Sequence, residues 1–218
     1  SQYRCIRHDH RLMGRSGAPP GPTSIATLAD DLAQLLDHLG IAEARVLGGG
    51  GMGGIVGLEL AIRHPARVRS LHLGAPCLKP DAFLVSIMQM WKRLRRLDPV
   101  LWAEEVTHWC YTPRTFAERP DMAAQAARSR AGERTFPDDS CFDRILDAYI
   151  AYDAAGRAAS VACPTQISNG GELDLITGPR MARAVHEAIP GSELVVFEDC
   201  SHNYWVEDQA RFGDMILG

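Results

Sequence analysis

Apolar residues along this chain alternate between two periods. From Ser24 to Leu39 they recur at spacings of three and four (Ile25, Leu28, Leu32, Leu35, Leu36, Leu39), which puts them on one face of a helix. Thr27-x-x-Asp30 reads as a capping-box-like start to that helix and Gly40 as its stop. Met52 to His64 predicts a second helix, closed by Pro65, and Pro179 to Ala188 another. Between the helices lie short aliphatic and β-branched runs. Ala44 to Leu47, Val68 to Leu73, Gln166 to Asn169 and 192–197 each predict a strand, and Tyr3 to His8 a short buried one. Gly14 to Pro22 is a turn-rich loop. Strand–helix alternation on this scale predicts an α/β fold, with a mostly parallel, doubly wound sheet.

The stretch from about 78 to 160 breaks that rhythm. It is helical throughout and rich in large apolar side chains (Phe83, Met88, Met90, Trp91, Trp102, Trp109, Phe142), as expected of a helical lid inserted between two sheet strands. The expected organisation is therefore a core domain over 1–77, the lid over 78–160, and the core resumed over 161–218.

Composition narrows the function. A 218-residue chain of 23.9 kDa with 46% hydrophobic and 23% charged residues is one globular domain carrying an insertion. Net charge −4 and a pI near 6.0 leave no basic footprint for nucleic acid or an anionic membrane. No apolar run approaches the roughly 18 residues of a membrane span. The six cysteines (5, 77, 110, 141, 163, 200) are scattered without a C-x-x-C pair. That spacing argues against a zinc ribbon or a disulfide scaffold, and for reduced thiols in a cytoplasmic protein. No signal peptide is visible, and the chain opens Ser-Gln-Tyr without an initiator methionine, as a processed or partial chain would.

The glycine cluster Gly48-Gly49-Gly50-Gly51-Met52-Gly53-Gly54 sits between a predicted strand and a predicted helix. Gly48-x-Gly50-x-x-Gly53 satisfies a dinucleotide fingerprint, but the following strand ends Leu73-Gly74-Ala75-Pro76, with no acidic residue to hold a ribose. A nucleophile elbow, G-x-S-x-G, also fits at Gly49 to Gly53, its flanking glycines allowing the tight turn. The nucleophile position is then Gly51. A plain tight turn is the third reading. Further on, Asn169-Gly170-Gly171-Glu172-Leu173-Asp174 puts a carboxylate after one strand, and Cys200-Ser201-His202-Asn203 puts an imidazole after the next. Loops at the carboxyl ends of parallel strands converge on one crevice.

This order of elbow, acid and base resembles the α/β-hydrolase family. Tyr3 to Arg11 with Gly14-Arg15-Ser16 is similar to the family's strand and D-x-R-G-x-G-x-S loop, except that Leu12 stands where the motif has its first glycine. Ser24 to Leu32 resembles the next helix. Met52-Gly53-Gly54 with His64-Pro65-Ala66-Arg67-Val68 is similar to the helix after the elbow and its exit. Gly171-x-x-Asp174 and Ser201-His202 match the acid and base positions. The resemblance implies a lidded esterase- or lactonase-like enzyme needing no cofactor or metal. His202 is its base, Asp174 orients the imidazole (with Glu172 as fallback), and the Met52 N–H supplies half an oxyanion hole. The substrate expected is an apolar, medium-sized carbonyl compound such as a carboxylic ester or lactone, with Gly50, Cys77, Trp91 and Trp109 lining its pocket.

Two departures qualify that expectation. Gly51 carries no side chain, so the covalent acyl-enzyme route is closed, whether by natural loss or by an engineered knockout. The family's first strands and its other oxyanion loop have no counterpart before Tyr3, so about six of the roughly eight strands usual in the family are expected here. Two other readings remain: a nucleophile-independent, lyase- or decarboxylase-like enzyme using His202 and Asp174 as general base, and a non-catalytic ligand-binding pseudohydrolase.

Overall fold

The computed structural model describes residues 3–132 and 135–217. It forms one parallel sheet from β1 (Ala44–Gly48), β2 (Val68–Gly74), β3 (Thr165–Gly170) and β4 (Glu193–Phe197), in the spatial order β1-β2-β3-β4. The register pairs Leu47 with His72, Leu73 with Ile167, and Ile167 with Leu194. Side-chain alternation then gives the sheet two different faces. Leu73, Ile167 and Leu194 point into the main core, packed under α1 (Ile25–His38), α2 (Met52–Arg63) and α8 (Gly178–Ala188). Val195 and Phe197 point the other way, into a smaller cluster closed by α9 (Tyr204–Glu207) and α10 (Gln209–Leu217) through Tyr204, Phe212 and Met215. Helices therefore cover both faces, as the alternating pattern requires.

The sequence pattern explains most of these elements. The α1 face that carries Ile25, Leu28, Ala29, Ala33 and Leu36 is the buried one. Ser24, rather than Thr27, is its N-cap: the Ser24 hydroxyl accepts from Thr27 N–H, one turn earlier than the capping-box reading. At its other end the Gly40 N–H donates to Asp37 O and the Ile41 N–H to Leu36 O, which satisfies the last carbonyls.

Tyr3–His8 is not a strand. Its residues run as irregular chain with Tyr3 and Ile6 exposed. A strand needs a ladder partner, and among the described residues the sheet begins at β1, whose sole partner is β2. The sheet thus has four strands among the described residues, against the expected six or so.

Between β2 and β3 the described residues make five α-helices: α3 (Ala82–Leu97), α4 (Pro99–Cys110), α5 (Pro113–Glu118), α6 (Pro120–Ala131) and α7 (Asp139–Ile150). Asp81, Asp98, Thr112 and Asp138 cap four of them through side-chain oxygens. Their inward residues Leu84, Ile87, Trp102, Phe142 and Ile145 join the same core cluster as the sheet's Leu73 and Ile167. This helical insertion between β2 and β3 is thus packed onto the sheet rather than tethered to it.

Candidate active site

The turn from β1 to α2 is built from close backbone approaches. A Cβ on Gly48 would lie 2.4 Å from Gly53 O, and one on Gly54 would lie 2.6 Å from Gly74 O. Strand end and helix start are too near for side chains, which accounts for those glycines by packing alone. At the tip Gly51 adopts φ +54°, ψ −76° as the N-cap of α2. It is held there by its N–H on Gly74 O at 3.1 Å and its carbonyl on Ile55 N–H at 3.0 Å. A Cβ at Gly51 would have ordinary contacts with Tyr149 Oη (3.4 Å), His202 Nε2 (3.8 Å) and Ala75 O (3.9 Å). Met52 follows as the first helical residue, where N–H groups have no intrahelical acceptor and point outward from the helix end.

Asp174, on the loop after β3, is 2% exposed. Its carboxylate accepts from Asn169 Nδ2 (2.9 Å), the backbone N–H groups of Ile176 (3.0 Å) and Thr177 (3.2 Å), and Thr177 Oγ1 (3.1 Å). It also faces His202 Nδ1, at 3.1 Å from Oδ2 and 3.3 Å from Oδ1. Burial alone would raise the Asp174 carboxyl. The facing imidazole and the Gly178 and Thr177 N–H groups outweigh it and hold the carboxyl down to about 2. An ionised carboxylate at Nδ1 selects the tautomer with its proton there, leaving Nε2 as the basic nitrogen on the Gly51 side. Glu172 is exposed and takes no part in this pairing.

The loop carrying His202 follows β4 and is clamped from the insertion. Ser201 Oγ donates to Trp109 O and Leu173 O, each at 3.1 Å, and Asn203 N–H donates to Cys110 O at 2.9 Å. Buried Glu207 binds the loop to the α4–α5 corner: it accepts Ser201 N–H (2.6 Å), Thr112 N–H (2.8 Å) and Thr112 Oγ1 (2.7 Å), and Thr115 Oγ1.

The other expected site residues divide. Gly50 faces Trp205, whose Cη2 would lie 3.2 Å from a Cβ there. Cys77 is fully buried and donates from Sγ to Tyr149 Oη at 3.8 Å, which borders the Gly51 space. Burial pushes its thiol up to about 12, so it is no substitute nucleophile. Trp109 touches the His202 loop through its carbonyl and stacks edge-on with Phe83. Trp91 lies in the core, and its Nε1 donates to Glu105, which also accepts Trp109 Nε1. Among the described residues its hydrogen-bond partner is Glu105, which is not part of the Gly51–Asp174–His202 group.

Three residues next to the site went unread in the sequence. Tyr149 lies on the apolar stripe of α7 with Phe142 and Ile145, where its spacing is that of any core aromatic. Trp205 and Glu207 follow His202 within five positions, and only the fold gives them neighbours. No group of three His, Cys, Asp or Glu among the described residues is disposed to hold a metal ion, and none of their helices is long and apolar enough to cross a membrane.

Comparison with known proteins extends the likeness beyond the site. The family model for the alpha/beta hydrolase fold matches residues 1–208. The "Putative carbamate hydrolase RutD" of Caulobacter segnis is 40% identical over 220 residues, spanning 99% of this chain and 80% of that protein. The protein of the same name from Azorhizobium caulinodans is 28% identical over 219 residues, spanning 100% and 81%. Among solved structures, the enol-lactonase from Burkholderia xenovorans LB400 has a TM-score of 0.85 at 25% identity, over 96% of this chain and 77% of its own. A family match over almost the whole length, with a relative this similar across four fifths of its own chain, makes this protein a member of the α/β-hydrolase fold family.

Proposed function

We propose that the chain is an acyl-hydrolase scaffold for a small, largely apolar ester, lactone or carbamate, with Gly51 in the position of the serine nucleophile. The observation that carries this reading is the point 3.8 Å from His202 Nε2 where a Cβ at Gly51 would sit. A hydroxyl on that carbon comes within reach of the imidazole, whose other nitrogen is held by Asp174. In such a site the serine attacks a carbonyl carbon, His202 takes its proton and later returns it to the leaving group, and the Met52 N–H stabilises the developing oxyanion. Without the hydroxyl no acyl-enzyme forms. Roughly 10³–10⁴-fold over water is the most that binding and oxyanion stabilisation leave behind.

The relatives' names supply the carbamate and lactone classes, an ester is the simplest acyl compound of the same kind, and the Trp205 ring beside Gly50 and His202 supports an apolar substrate. The segment 78–160 is read as the lid over this crevice, because it contributes Tyr149 and clamps the His202 loop. The six free cysteines of the whole chain support a reducing, cytoplasmic location.

The test compares the full-length protein with its Gly51→Ser variant, using a fluorophosphonate probe and a panel of aryl esters, lactones and aryl carbamates. The serine variant is expected to be labelled and to turn over at least one class, while the glycine protein is not labelled. Serine at φ +54° costs about 1–2 kcal/mol of stability, readable as a lower urea midpoint. A folded serine variant that resists labelling would remove Gly51 from the nucleophile position.

A further inference from the structure

Among the described residues, two polar atoms beside Gly51 have no partner for the role each has left. Tyr149 Oη accepts from Cys77 Sγ, but its own proton has no acceptor among the described residues. His202 Nδ1 is engaged by Asp174 and Thr177, while Nε2 makes no hydrogen bond among them. Both atoms lie within 4 Å of the same point, the Cβ position of residue 51, at 3.4 and 3.8 Å. Those distances leave room for one atom of carbon or oxygen size, and a small displacement brings an oxygen there into hydrogen-bond range. The Tyr149 ring is held in the core of the insertion, so its hydroxyl is a fixed feature of the site. Burial pushes its pKa well above the ordinary phenol value, which keeps it a proton donor.

We propose that Tyr149 Oη and His202 Nε2 hold a water molecule beside Gly51, and that His202 delivers it directly to a bound ester or carbamate, giving hydrolysis without an acyl-enzyme. The water's oxygen accepts the Tyr149 proton on one lone pair and presents the other to the carbonyl carbon. One of its hydrogens points at Nε2. As the new C–O bond forms, that proton passes to Nε2, and the carbonyl π pair moves onto oxygen beside the Met52 N–H. The tetrahedral intermediate then expels the alcohol oxygen, which takes the proton back from Nε2. One water is consumed, one acid and one alcohol are released, and His202 returns to its starting state. Asp174 stays ionised throughout, balancing the transient imidazolium. Tyr149 is a catalytic residue in this scheme, since it touches the attacking oxygen.

This proposal rests on Gly51 occupying the nucleophile position, and the experiment separates the two ideas. p-Nitrophenyl acetate and a p-nitrophenyl carbamate are hydrolysed by the full-length glycine protein, by Tyr149→Phe and by His202→Ala, with Gly51→Ser as reference. The glycine protein is expected to turn over slowly, with no initial burst and no fluorophosphonate labelling. His202→Ala should fall by roughly 10²-fold or more. Tyr149→Phe keeps the ring and loses only the hydroxyl, so kcat should drop roughly 5–10-fold at an unchanged KM and unchanged melting temperature. A Tyr149→Phe variant with parental kcat, or a His202→Ala variant as active as the parent, overturns the proposal. If Gly51→Ser is labelled while the glycine protein shows no His202-dependent turnover, only the water mechanism falls. If Gly51→Ser is folded and unlabelled, the reading of position 51 falls with it.

Discussion

Leu12 is fully buried at φ +69°, where the family's loop motif has glycine. Its N–H donates to Gly17 O, and Asp9 organises the same loop by accepting Arg15 N–H at its carboxylate and Ser16 Oγ at its carbonyl. The left-handed backbone costs about 1–2 kcal/mol, but losing a buried leucine side chain costs about 2–5 kcal/mol. Leu12→Gly is therefore expected to lower stability by about 2 kcal/mol despite relieving strain. A raised urea midpoint would show that the strain dominates. His72 makes a second residue-level case. It lies buried against Phe212, with Nε2 on Ser168 Oγ at 2.8 Å and Nδ1 unpartnered among the described residues. Burial lowers its pKa from 6.5 to about 4. The unfolded chain binds the proton first, so the stability His72 contributes is complete above pH 6.5 and is lost as pH falls toward 4. Between pH 7 and 4.5 the parent should lose about 2 kcal/mol through this group. The test is His72→Gln, which should flatten that slope; identical slopes would show that His72 does not titrate in this way.

Among the elements, the β1–α2 turn was the most legible and the His202 loop the least. Four glycines in a row between an apolar run and a helical pattern announce a tight strand-to-helix turn, and the turn brings the Gly53 carbonyl against the Cα of Gly48. Gly48→Ala places a methyl 2.4 Å from a backbone oxygen, so neither side can yield cheaply. A loss of about 3 kcal/mol or more is expected on denaturant unfolding, and a loss below 1 would mean the turn relaxes. Glu207 gave no such signal. One acidic residue near a helix end reads as surface charge, yet here it accepts donors from α4–α5 and from Ser201 together. Glu207→Gln must turn an amide N–H toward one of those donors. Expected are a stability loss of about 2–4 kcal/mol and, in a Gly51→Ser background, at least 10-fold slower fluorophosphonate labelling. Labelling at the full rate would free the His202 loop from this clamp.

For the molecule as a whole, one apolar cluster runs from the sheet's Leu73 and Ile167 into the insertion's Trp102, Phe142 and Ile145. Packing this continuous predicts one cooperative transition. Trp91, Trp102 and Trp109 lie on α3 and α4, so tryptophan fluorescence reports chiefly on the insertion, whereas far-UV circular dichroism reports on every helix. The two melting curves should coincide. A fluorescence transition that precedes the dichroism change would mark the insertion as a separate folding unit.

Periodicity and turn residues alone determined the α/β class and the helical character of the stretch between β2 and β3. These are local properties, written into hydrophobic spacing and into residues that few turns tolerate. The pairing of strands was not local. Tyr3–His8 has the composition of a strand but joins no ladder among the described residues, and composition cannot supply a neighbouring strand. Only the tertiary structure decided that Tyr149, nearly a hundred positions from Gly51, brings its hydroxyl to the point His202 Nε2 also faces. A side chain on a helical stripe is marked as buried by its spacing, but which atoms it meets depends on how the insertion docks across the sheet.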